Sequence, residues 1–76
     1  MENITISPNQ VIELQTKPDA NLPQAISEAI EFTLKNDLEY ATLKHGDYQF
    51  GIDVDSDIKS LLTDYAYYED YKTLNQ

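Results

Sequence analysis

The chain has 76 residues, 41% of them apolar, and a formal net charge of −9 from 14 acids against five lysines, with no cysteine and no arginine. That composition predicts one folded α+β domain over residues 1–76 with a small core. It excludes disulfides and thiolate metal sites, and it disfavours direct nucleic-acid binding, because scattered lysines make neither a phosphate-tracking stripe nor a guanine-reading fork.

Ile4 and Ile6 alternate with Thr5, which predicts a short strand over 3–6. Ser7-Pro8-Asn9-Gln10 then carries the marks of a helix start: a cap, proline at the first helical position and a capping-box glutamine. Val11, Ile12 and Leu14 would face the core for about two turns of that helix. The alternative is a pair of strands, 4–6 and 11–14, turning at Pro8-Asn9. Residues 16–21, with Pro18-Asp19 at their middle, read as a loop.

Asn21-Leu22-Pro23-Gln24 repeats the start signal. Ala25, Ile26, Ala29, Ile30 and Leu34, flanked by Phe32 or Thr33, have the spacing of an amphipathic helix ending near Asn36. A β-hairpin is expected next. With His45-Gly46 as a two-residue turn, Leu43 falls opposite Tyr48 and Ala41 opposite Phe50, and Ile52 and Val54 continue the same face. Gly51, inside the second strand, implies a bulge or the close approach of another backbone or ring.

Asp55 or Ser56 can cap a last helix, with Asp57 near the positive end of its dipole. Ile58, Leu61, Leu62, Tyr65 and Tyr68 form its buried stripe, leaving Asp64, Tyr67, Glu69, Asp70 and Tyr71 mostly outside. The expected architecture is a small antiparallel sheet with a central β-hairpin, packed against two or three helices.

No apolar run is long enough to span a bilayer, and the N-terminus lacks the basic and apolar regions of a signal peptide, so a cytoplasmic protein with no membrane partner is expected. Catalysis gets little support, and no enzyme is expected. The one histidine, His45, falls at a hairpin tip, cysteine is absent, and no phosphate-binding glycine loop is present. Asp53-Val54-Asp55-Ser56-Asp57 opens like a calcium loop, but Ile58 and Asp64 stand where that loop needs glycine and glutamate. No metal and no cofactor are therefore expected.

The richest signal is charge. Residues 37–70 hold nine carboxylates (Asp37, Glu39, Asp47, Asp53, Asp55, Asp57, Asp64, Glu69 and Asp70) against Lys44 and Lys59, with five of the six tyrosines among them. Such a field attracts basic partners, and tyrosines add contact area suited to lysine and arginine. Asp53, Asp55, Asp57, Asp64, Tyr67, Glu69, Asp70 and Tyr71 are the candidate partner-binding residues.

In size, acidity, lack of cysteine and order of elements the chain resembles the small acidic anti-CRISPR and anti-restriction inhibitors of phages, several of which mimic DNA. Gly46-Asp47-Tyr48-Gln49-Phe50-Gly51-Ile52-Asp53-Val54-Asp55 looks like the hairpin of a type I anti-CRISPR. The resemblance implies a protein that occupies the nucleic-acid-binding surface of a basic partner, such as a CRISPR or other host defence nuclease complex, in the host cytosol. The alternative is an immunity protein or antitoxin that neutralises a basic toxin.

Overall fold

The computed structural model describes residues 2–6 and 13–74. In chain order these form β1 (Ile4–Ile6), β2 (Glu13–Thr16), α1 (Leu22–Lys35), β3 (Ala41–His45), β4 (Tyr48–Ile52) and α2 (Ile58–Leu74). The strands make one sheet in the order β1-β2-β3-β4. The α+β class is as expected, but the sheet is mixed: β1/β2 and β3/β4 are antiparallel while β2/β3 is parallel. A parallel neighbour needs a crossover, which α1 supplies.

Leu14 is a strand residue, contrary to the short helix expected around it. It lies between Ile6 of β1 and Leu43 of β3 and is fully buried. Insertion between two strands covers Leu14 completely, whereas a two-turn helix has little stability of its own. The two-strand alternative is thus the one realised at Leu14. The helix-start signature at 7–10, with Val11 and Ile12, lies outside the described residues.

Alternation along the strands sends Ile4, Leu14, Ala41, Leu43, Phe50 and Ile52 to one face, where Ala25, Ile26 and Ala29 of α1 complete the core. Asn21 caps α1, its side chain accepting from the Gln24 N–H at 3.1 Å. The helix ends in a Schellman arrangement: the Leu38 N–H donates to the Thr33 carbonyl and the Asp37 N–H to that of Leu34, with Asp37 at φ 53. Leu34, expected in the core, is 60% exposed, and Thr33 is buried instead. The Thr33 hydroxyl is satisfied by the Ile30 carbonyl at 2.7 Å, so its burial leaves no polar atom without a partner.

The hairpin turns at Gly46-Asp47, one residue later than expected. His45 therefore faces Tyr48, Leu43 faces Phe50 and Ala41 faces Ile52. Gly46 at φ +61 explains the choice, because a two-residue hairpin turn with a positive φ at its first central position favours glycine there. The pairing moves by two residues, an even number, so every apolar side chain keeps its face. Val54 lies beyond β4 and is exposed rather than continuing that face. The ring that approaches Gly51 is Tyr40, whose hydroxyl lies 3.2 Å from where a Cβ would stand. No helix among the described residues is long and apolar enough to cross a membrane.

Candidate functional site

Helix α2 begins at an aspartate cap. Asp57, rather than Asp55 or Ser56, accepts from the Ser60 N–H at 3.2 Å and the Ser60 hydroxyl at 2.8 Å. Asp55 and Ser56 belong to the turn before it. Asp53 Oδ1 accepts from the Asp55 N–H at 2.8 Å and from the Ser56 hydroxyl at 3.3 Å, while the Ser56 Oγ accepts from the Asp53 N–H at 2.8 Å. This local closure accounts for the D-x-D-x-D spelling. Among the described residues, no group of three or more histidines and acids is placed to hold a metal ion.

The inner face of α2 is the expected stripe, but its side chains are half-buried, none fully. Ile58, Leu61, Leu62 and Tyr65 pack against the core. Tyr65 is the keystone, with its ring 5.6 Å from that of Phe50, 5.1 Å from Tyr48 and 5.5 Å from His45, centroid to centroid. His45 is accordingly not a solvated tip residue. It is half-buried at the end of β3, its Nδ1 at 2.8 Å from the Thr16 hydroxyl.

Glu69 turns inward as well, contrary to its expected outward position, and accepts from the Tyr65 hydroxyl at 2.5 Å. That hydrogen bond, aided by burial, pushes the Tyr65 phenol up to about 12. The Tyr68 phenol is also raised, by its hydrogen bond to Asp47. Asp47 in turn is lowered by its hydrogen bond to Lys72, at 3.2 Å, which ties the hairpin turn to the end of α2.

A folded pKa above the unfolded value means stability that is complete below about pH 10 and is lost as pH rises through about 12. In an alkaline titration followed at tyrosinate wavelengths, Tyr65 should ionise last. Tyr65→Phe should remove that latest phase and flatten the alkaline loss of stability. A latest phase that persists in Tyr65→Phe would show that the hydrogen bond to Glu69 is not its source.

The outer face of α2 is different in kind. Ser60, Asp64, Tyr67, Tyr71 and Leu74 succeed one another at intervals of four, three, four and three, forming one line along the helix. Tyr67, Tyr71 and Leu74 are 71%, 68% and 83% exposed, and the exposed carboxylates of Asp64 and Asp70 lie beside them. Leu74 is the residue that charge and tyrosine content do not single out, although its spacing from Tyr67 and Tyr71 is written in the sequence. A shallow groove lined by Asp57, Lys59, Ser60, Thr63 and Asp64 extends the line toward the helix start.

Of the eight candidate residues, Asp64, Tyr67, Asp70 and Tyr71 thus share one exposed surface. Asp53, Asp55 and Asp57 form a second exposed group ahead of the helix, with oxygens of Asp53 and Asp57 engaged in the local bonds above. Glu69 is set apart on the inner side. Comparison with protein-family models, with curated proteins and with solved structures finds no match to this chain.

Proposed function

We propose that this protein is a non-enzymatic acidic inhibitor that covers the nucleic-acid-binding surface of a basic partner, such as a CRISPR or other host defence nuclease complex, through the outer face of α2. The observation that carries the reading is the presence of Tyr67, Tyr71 and Leu74 on that outer face, beside Asp64 and Asp70. The core is already served by the inner stripe, of which Tyr67 and Leu74 form no part. Large exposed apolar side chains rimmed by charge are the composition of a binding patch. Tyrosine anchors next to carboxylates suit lysine and arginine through ion pairs and cation–π contacts. The net charge of −9 adds long-range attraction to a surface built for a polyanion.

The experiment is competition. Added to its partner, the protein should abolish the partner's binding to DNA or RNA, with affinity falling by about tenfold or more between about 50 and about 500 mM salt. Asp64→Lys with Asp70→Lys should weaken binding by at least about tenfold while leaving the circular dichroism spectrum unchanged, because neither carboxylate is buried. Asp57 is not a neutral site for the same test, since its loss also removes a helix cap costing about 1 kcal/mol. A stable ternary complex of protein, partner and nucleic acid would rule out direct competition. Occlusion of a toxin's active site instead would identify an immunity protein or antitoxin.

A further inference from the structure

The sheet has a second feature that the helix-face reading does not use. β4 is an edge strand, paired with β3 alone, and among the described residues no further backbone hydrogen bond reaches Tyr48–Ile52. In a hairpin closed by a two-residue turn, His45 and Tyr48 form the close hydrogen-bonded pair. Alternation then makes Leu43/Phe50 and Ala41/Ile52 the next such pairs. The N–H and C=O groups of Gln49 and Gly51 consequently point away from β3.

Proteins usually blunt such an edge with proline, lysine, a bulge or a covering element. β4, Tyr-Gln-Phe-Gly-Ile, has neither proline nor lysine, and its register with β3 runs unbroken through five pairs without a bulge. Gln49 and Gly51 are exposed.

We propose that the outer edge of β4 is a docking site for an extended basic segment of a partner polypeptide, added as a fifth strand. Charge decides the occupant. Asp47 and Asp53 flank the strand at its two ends, and the whole chain carries −9. A second copy paired symmetrically about Phe50, one of the registers that join the outward groups, would set Gln49 against Gly51 of its mate. That same register sets Asp47 of each copy against Asp53 of the other. Like charges opposed across a strand pair are destabilising, and two chains of −9 repel each other in any register, whereas lysine or arginine on an incoming strand meets Asp53 at one end and Asp47, already paired with Lys72, at the other. Backbone pairing supplies affinity and the flanking charges supply selectivity, the logic of strand addition. This inference concerns a different surface from the outer face of α2 and stands without it.

The probe is a capped heptapeptide of alternating threonine and valine with lysine at each end, titrated into the ¹⁵N-labelled protein. The expected result is saturable perturbation of the Gln49 and Gly51 amides. Gln49→Pro, which removes one outward donor and leaves the β3 ladder intact, should weaken binding at least about tenfold, and Gln49→Ala should change it less than about twofold. The same peptide N-methylated at alternate residues keeps its charge and should not bind, which tests the edge without altering the protein. Equal binding of the methylated peptide, or titration of the unmethylated one without perturbation of Gln49 and Gly51, would overturn the proposal. So would a dimer in sedimentation experiments that Gln49→Pro dissolves, because the edge would then belong to a second copy.

Discussion

Phe50→Ala should cost about 3 kcal/mol or more of folding stability, the largest single-residue loss expected in this chain. Phe50 is 2% exposed, faces Leu43 across the ladder, and touches both Tyr48 and Tyr65 with its ring. Truncation therefore removes transfer energy from the sheet core and leaves a cavity under the residue that holds α2 down. For 76 residues a total stability of about 4 to 11 kcal/mol is ordinary, so the variant sits at or near the threshold of folding. The check is urea unfolding followed by circular dichroism, together with the alkaline titration. As Tyr65 loses part of its burial, its phenol should move only part of the way down from about 12, because the hydrogen bond to Glu69 within α2 remains. A loss below about 1 kcal/mol would mean that the helix and sheet do not share a core at this ring.

The elements easiest to read in the sequence are those whose signals are local. Asn21 and Gln24 announce α1, and the period-two apolar residues of the hairpin fix its buried face whether the turn falls at His45-Gly46 or at Gly46-Asp47. The core is the same in either case, because the two pairings differ by an even number of residues. His45 is where they part, since the turn at Gly46-Asp47 puts it in the strand, half-buried against Tyr65 and Thr16.

Non-local facts were harder to read. Nothing near Leu14 says that β3 will run parallel beside it. Burial of Thr33 in place of Leu34 depends on where the sheet lies under α1. The outer line of α2 was legible in its tyrosines and aspartates, whereas the inward turn of Glu69 was not, because it requires the Tyr65 hydroxyl as donor. The free edge of β4 follows only from strand order, which the sequence leaves open.

Asn3 is the clearest case of a residue invisible to pattern reading, and it yields a second large effect. It is nearly buried at the N-terminal edge of the sheet. Its backbone N–H donates to Glu28 Oε1 at 2.9 Å and its side-chain amide to Glu28 Oε2 at 2.6 Å and Gln24 Oε1 at 3.3 Å. Its side-chain oxygen accepts from the Asn21 N–H at 3.0 Å, and its carbonyl from the Lys17 N–H at 2.9 Å. One amide thus ties β1 to the start of α1. The backbone N–H of Asn3, with its side chain adding to the effect, holds the Glu28 carboxyl below its ordinary value. A lowered folded pKa contributes stability that is present above about pH 4.5 and is lost as pH falls through the folded value. Asn3→Leu should cost about 2 kcal/mol at neutral pH, since three side-chain hydrogen bonds vanish and the Asn21 donor and Glu28 acceptor must find water. Asn3→Asp is the sharper test, because it sets a second carboxylate beside Glu28 and reverses the sign of the linkage. That variant should be destabilised at pH 7 and should recover part of the loss on acidification toward pH 5, over a range where the parent gains nothing. Thermal melts of both chains across pH 4 to 8 read the difference directly, and parallel curves would show that Asn3 and Glu28 are not coupled.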